Sequence, residues 1–266
     1  MEAASRKFGL LIARQRSGTG ALGTTLDRQP GIRYLGEVFH PANVGQPLNY
    51  FTWLRDMTAE DPNAVLPDRG VEVLGRFLDK VVDPDAGLPI LDVKYNSLHH
   101  IRSGFQAPND VPKLIAICRE AGTPIIHLRR RNQLEVFVSG LLADANKVWH
   151  ARDVAQIKIE SVRVATGPLL RFLASGVLQD QLMVRWLGAR TRVLTVYYEE
   201  MFDPDGQVSQ ATATSLAGFL GLEPFTDRSV IFVKQNRRPL REAIENYDEV
   251  AEALSGSEFE WMLAER

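Results

Sequence analysis

Four short runs, residues 8–13, 89–96, 124–129 and 192–198, shape what this chain can fold into. They are largely apolar rather than strictly alternating, with Asp92, Lys94 and Asn96 at the end of 89–96 as the exception, and helix-compatible stretches separate one from the next. Strands of that kind are buried on both faces. That is the condition of a parallel sheet covered by helices. Residues 31–39 add a further candidate strand. Helices are expected at 20–29, 71–82, 111–120, 132–148 and 209–220. The stretch 157–187 reads as mostly helical, residues 41–70 as a loop with a short helix around Trp53, and 241–263 as a helical tail. The expected class is α/β: a central parallel sheet of about five strands with helices on both faces. Ligands of such sheets sit at the carboxyl ends of the strands.

One of those ends is unusual. Residues 10–30 read LLIARQRSGTGALGTTLDRQP, an apolar run that stops at a basic, glycine-rich turn and then turns helical. Backbone N–H groups at a helix N-terminus favour an anion, helped by the helix dipole. Arg16, Ser17, Gly18, Thr19 and Gly20 supply a cation, two hydroxyls and two glycines there. A Ser/Gly turn that merely caps a helix has the same appearance, so the turn alone leaves both readings open. A nucleotide-hydrolysing P-loop needs a Gly-Lys-Ser/Thr triplet. The chain contains no Gly-Lys dipeptide. The anion is therefore expected to be something other than the triphosphate of a metal-dependent NTPase.

A second segment, PIIHLRRRNQLEVFVSG, places a strand, three arginines and a helix in succession. Ser139 follows Arg131 by two helical turns, about 12 Å along the axis. The alternative is an arginine cluster that caps the strand in solvent.

Composition removes other classes. The 266 residues are 45% hydrophobic and 24% charged, with a net charge of -2, which argues against a nucleic-acid coat. Cys118 is the only cysteine, so neither an intrachain disulfide nor a cysteine-based zinc cluster can form. A reducing, cytoplasmic location is expected. The N-terminal apolar stretch is too short for a signal peptide and is interrupted by Arg14, and no run of about 18 apolar residues suggests a transmembrane segment.

With these motifs in hand, the chain resembles the P-loop-like sulfotransferases that use 3′-phosphoadenosine 5′-phosphosulfate. In detail it is similar to the rhizobial nodulation-factor group of carbohydrate sulfotransferases. Arg16 with Ser17-Gly18-Thr19 matches the family's 5′-phosphosulfate loop, with Gly20 where many members carry a second threonine. Residues 130–139, RRNQLEVFVS, match the 3′-phosphate motif. YLGEVFHP, DVKYN and VKQNRRPLREAIENYDEV match further family segments in family order, from about residue 8 to 250. The cytosolic enzymes' late Arg-Lys-Gly triplet is absent. The segments 41–70 and 151–190 match nothing in the family.

The resemblance implies a P-loop-like nucleotide-binding architecture in one domain over 1–266. A helical acceptor-side region lies at roughly 151–190, and a basic loop plus helix at 230–263. It implies sulfuryl transfer from 3′-phosphoadenosine 5′-phosphosulfate to an acceptor hydroxyl, with 3′-phosphoadenosine 5′-phosphate as product and no metal. A glycan or glycoconjugate acceptor is favoured. A small alcohol or phenol acceptor, a nucleotide kinase and a non-catalytic nucleotide-binding protein are the alternatives. The donor site would comprise Arg16, Ser17, Gly18, Thr19, Gly20, Ala21, Arg131, Ser139, Lys234, Arg237 and Arg238. Glu37 is expected as the general base, Arg16 and Lys94 as catalytic cations, and His99 as the competing base. His40 stands next to Pro41 at the end of its strand, and His127 reads as a structural strand histidine. No nucleic-acid partner is expected, and the oligomeric state stays open.

Overall fold

The computed structural model describes residues 7–83, 86–101, 110–234 and 236–264. The chain divides into two compact units, Met1–Arg129 with Leu182–Ser229, and Arg130–Gln181 with Val230–Arg266.

The first unit holds the sheet. Its strands are β1 (Gly9–Ala13), β2 (Ile32–Gly36), β3 (Leu88–Lys94), β4 (Ile125–Arg129) and β5 (Val193–Tyr197). All neighbours pair in parallel, in the order β2-β3-β1-β4-β5. The chain fills one side of β1 first and then the other, so the strand order reverses at β1. Ligands of open α/β sheets bind outside the carboxyl ends at such a point.

The helices of this unit are α1 (Thr19–Asp27), α2 (Tyr50–Glu60), α3 (Gly70–Val81), α4 (Ser97–His100) and α5 (Lys113–Glu120). In the second unit α6 (Gln133–Asn146) comes next. Then α7 (Thr166–Leu187) follows, its end from Leu182 counting with the first unit. The first unit also holds α8 (Gln210–Leu220), and the second α9 (Leu240–Ala243) and α10 (Tyr247–Leu254).

Alternation along each strand sends side chains to opposite faces. Leu10 and Ile12 of β1 join Leu91 and Val93 in one core with α3, α5 and the end of α7. Leu11 and Ala13 join Ile90, Ile126 and Leu128 in the other, against Leu22 and Leu26 of α1 and Leu216 of α8. Both faces of β1 are fully buried, which is why its sequence is apolar without alternation. Helix α1 is also pinned by the chain after α8. Thr25 donates to the Ser229 carbonyl, and Gln29 to that of Asp227.

The second unit has its own apolar core, built from Leu134, Val138 and Leu142 of α6, Leu169 and Leu173 of α7, and Leu240, Val250, Leu254 and Met262. Helix α7 makes the stretch 157–187 mostly helical, as expected, and before Thr166 Asn146 binds the amides of Lys158 and Ile159 while Val162 bridges to Ile244. One expectation needs correction here. The expected C-terminal helix is broken at the Ile244 bridge between α9 and α10, and α10 ends at Leu254, ahead of a 3₁₀ turn at Glu260–Leu263.

Among the described residues, no helix is long and apolar enough to cross a membrane.

Candidate active site

The loop from β1 to α1 has two residues with positive φ, Arg16 at 63° and Gly18 at 91°. Few side chains tolerate that region, so an arginine there marks a loop held by its surroundings. Gly18 is also the N-cap of α1 and lacks a side chain to cap it. A Cβ on Gly18 would lie 2.9 Å from the Tyr198 ring and 3.1 Å from Met201. The first amides of a helix have no acceptor within it. With glycine at the cap, the N–H groups of Thr19, Gly20 and Ala21 keep their donors for a ligand. Ser17 is buried, and its hydroxyl has no hydrogen-bond partner among the described residues. An orphaned buried hydroxyl beside uncapped amides is what a phosphate-sized anion would satisfy. The loop therefore fits the 5′ end of the nucleotide expected from the sequence.

Next to this loop lies a buried ammonium. Lys94 ends β3, in register with Ala13 at the end of β1. Three oxygens surround its Nζ. It donates to Thr19 Oγ1 at 2.6 Å and to Asp92 Oδ1 at 2.5 Å, and it pairs with Glu37 Oε1 at 3.1 Å. Lys94 and Asp92 are 3% and 1% exposed, so neither charge is offset by water. Asp92 receives a second hydrogen bond from Tyr34 OH at 2.7 Å. Burial first, and the Asp92 carboxylate second, push the Tyr34 phenol well above its ordinary range, so it stays a proton donor.

Glu37 follows β2 directly, where the register slips between Tyr34 and Gly36 and Gly36 takes a φ of 68°. Such an irregularity re-aims the side chain beyond it. Oε1 faces Lys94, while Oε2 faces His40 Nε2 at 4.0 Å. His40 Nδ1 accepts from the Ala42 amide at 3.2 Å, which leaves the Nε2–H edge turned to the carboxylate. Asn49 holds the His40 carbonyl at 2.9 Å, and Asn43 donates to the Glu37 carbonyl at 3.1 Å.

Thr19, Glu37 and Lys94, taken from three separate sequence motifs, thus meet around one ammonium at the carboxyl ends of β1, β2 and β3. His99 is exposed on α4, outside that cluster. His127 is buried in β4 and shares a 2.6 Å hydrogen bond with Tyr95 OH. Burial, and then Arg129, lower its pKa from 6.5 to about 3, so the ring is neutral.

In the second unit, Arg131 is exposed and directly precedes Asn132, whose side chain caps α6 by accepting from the Glu135 amide. Ser139 is buried on α6. Arg130 is instead turned inward, 2.6 Å from Glu135. Lys234, Arg237 and Arg238 are exposed, and Arg238 pairs with Glu160. Gln235, in the same family-matched segment, lies outside the described residues.

Two residues of the cluster, Asp92 and Tyr34, open the matched segments DVKYN and YLGEVFHP but carry no role in the sequence reading. Asp92 had a further signal: it stands two residues before Lys94 on a strand, hence on the same face. The role of Tyr34 depends on a contact with a different strand, which no local spacing encodes.

No family model matches this chain, and no curated protein matches it. Among solved structures it is similar to the mouse sulfotransferase SULT7A1 complexed with PAP, at 13% identity and a TM-score of 0.47, covering 98% of this chain and 88% of that one. It is also similar to the sulfotransferase domain from the curacin biosynthetic pathway, at 13% identity and a TM-score of 0.43, covering 94% of this chain and 98% of that one.

Proposed function

We propose that this chain is a sulfotransferase that uses 3′-phosphoadenosine 5′-phosphosulfate and sulfates a hydroxyl of a glycan or glycoconjugate. The observation that carries the reading is the Lys94 ammonium. It joins a hydroxyl of the anion loop, Thr19 Oγ1, to the Glu37 carboxylate, whose second oxygen faces His40 Nε2 at 4.0 Å. Group transfer between two oxygens needs an anion cradle and a base within a few ångströms of each other. When bound, the donor supplies a sulfuryl group whose charge is spread over its non-bridging oxygens.

The chain's own residues divide the remaining work. The amides of Thr19, Gly20 and Ala21 and the hydroxyls of Ser17 and Thr19 hold the 5′-phosphosulfate end, with Arg16 adding charge. Lys94 stabilises negative charge beside Thr19. Glu37 orients the acceptor hydroxyl and takes its proton. Arg131 and Ser139, at the family spacing, hold the 3′-phosphate, with Lys234, Arg237 and Arg238 as further cations. A kinase reading is disfavoured because the loop has no lysine of its own, and Lys94 is already committed to two carboxylates. The glycan class rests on the glutamate base, as in the carbohydrate-type enzymes the sequence resembles.

The test is transfer of label from ³⁵S-labelled 3′-phosphoadenosine 5′-phosphosulfate to a panel of oligosaccharides, glycolipids, phenols and alcohols. Label in a saccharide is the expected result. Label only in phenols would move the acceptor class. Nucleotide binding without transfer to any acceptor would leave a binding protein, and phosphoryl transfer from ATP would overturn the reading.

A further inference from the structure

Tyr34 lies on β2, one strand removed from the anion loop across β3, yet it is tied to α1 twice. Its amide donates to Asp27 Oδ1 at 2.7 Å, and its ring fills the space over Gly23, where a Cβ would lie 2.3 Å from ring carbons. The phenol then reaches Asp92, Asp92 holds Lys94, and Lys94 donates to Thr19. A hydroxyl has one proton to give. Thr19 Oγ1 already accepts from an ammonium, so its proton is directed away from Lys94. Its direction depends on where Lys94 is held, and that depends on Asp92. A carboxylate with one partner can swing about its remaining bond, whereas Asp92 is gripped on both oxygens.

We infer that Tyr34 is a positioning residue of the anion loop. Acting through Asp92 and Lys94, it fixes the Thr19 hydroxyl as a donor aimed at the nucleotide's 5′-phosphate. This rests on the reading of the loop as the site of that phosphate. Preorganised donors of this kind bind without reorganising, and chains of hydrogen bonds strengthen one another. Gly23 belongs to the same device, since any side chain there would displace the Tyr34 ring.

The clean variant is Tyr34→Phe, which changes no charge and keeps the ring packing. Titration calorimetry with 3′-phosphoadenosine 5′-phosphate reads the effect. Thr19→Ala and Tyr34→Phe should each raise the dissociation constant about tenfold, the scale of a hydrogen bond to a charged group. The double variant should be no weaker than Thr19→Ala alone, because residues acting in series couple. The ¹⁵Nζ–¹H resonance of Lys94 in the nucleotide-free protein should shift in Tyr34→Phe, which ring packing alone would not produce. If Thr19→Ala weakens binding while Tyr34→Phe leaves both affinity and resonance unchanged, the inference fails and the loop reading stands. Additive losses would also overturn it. If Thr19→Ala has no effect, the loop reading falls, and the inference with it. Should Tyr34→Phe cost the fold, Gly23→Ala displaces the same ring from α1 and must weaken binding through the same coupling with Thr19→Ala.

Discussion

Glu37 Oε1 lies 3.1 Å from the Lys94 ammonium, and Thr19 Oγ1 lies 2.6 Å from the same nitrogen. A carboxylate and an anion-loop hydroxyl are thereby held at a fixed separation before any substrate arrives. Proximity of this sort removes much of the entropic cost of bringing a base to the reacting group.

The first prediction follows from that pairing. Glu37→Gln keeps the size and the backbone contacts but removes the basic oxygen. Acceptor-dependent transfer should fall by about 10²–10⁴-fold, the usual worth of general-base catalysis. On the proposed reading Glu37 meets the acceptor rather than the nucleotide, and Gln can still accept from Lys94, so affinity for 3′-phosphoadenosine 5′-phosphate should change by less than about threefold. His99→Asn, at an exposed position of α4, should cost less than about tenfold. Near-normal turnover in Glu37→Gln with loss in His99→Asn would reverse the assignment.

A second prediction concerns stability. Lys94→Met strands the Asp92 carboxylate in a site with 1% exposure. Removing one partner of a buried pair costs about 3–5 kcal/mol, mostly through the charge left behind. Adding Asp92→Asn should restore a good part of that loss. Urea unfolding of the two single variants and the double variant measures the coupling. Losses that simply add would mean that the two groups are not a pair in solution.

The fold was legible where burial alone dictates sequence, and members of the candidate site were legible where they stand in a short motif. β1, β3 and β4 are buried on both sides, so their apolar runs stand out without reference to neighbours. The break at Ile244 was not legible, because the pairing of Val162 with Ile244 joins residues far apart in the chain. No local periodicity encodes such a bridge. Likewise Glu37 and Lys94 were each visible in a short motif. Their meeting at one nitrogen depends on the parallel register of β3 with β1 and on the slip in β2. Tyr34 shows the limit most clearly. It reads as an ordinary strand aromatic until Gly23 and Asp92 are seen on either side of it.

The third prediction tests the loop backbone. Gly18→Ala must place a Cβ at φ 91°, 2.9 Å from the Tyr198 ring. Strain of this kind costs about 1–3 kcal/mol. Both the urea midpoint and the affinity for 3′-phosphoadenosine 5′-phosphate should drop, because the same turn aims the α1 amides. An unchanged affinity would show that those amides do not hold the nucleotide.

The fourth prediction is selectivity for the 3′-phosphate. Arg131 is exposed at the end of the arginine run, and Ser139 is buried on α6. A site with charged donors for a phosphate should reject a ligand that lacks it. 3′-Phosphoadenosine 5′-phosphate should raise the melting temperature, and AMP far less. Arg131→Ala should weaken binding of the former by about 2–4 kcal/mol and barely affect the latter. Equal stabilisation by the two nucleotides would remove Arg131 and Ser139 from the site.

The fifth prediction concerns pH. His127 is 2% exposed in β4, bonded to Tyr95 OH, with its pKa lowered from 6.5 to about 3 by burial and then by Arg129. The unfolded chain takes up a proton here as pH falls through about 6.5, while the native state refuses it until about pH 3. Between those values the unfolded state binds more protons, so stability falls as pH falls. The contribution is fully present above pH 6.5 and is lost toward pH 3, at about 1.4 kcal/mol per pH unit within the window. The range from about pH 6.5 to 5 is the place to look, since carboxylates add their own slopes below it. Urea unfolding across that range should show the decline, and His127→Gln should flatten it by about one proton's worth. The two proteins differ only at this ring, so the difference in slope isolates His127. An identical slope in the variant would mean that the ring takes up its proton in the native state as readily as in the unfolded chain.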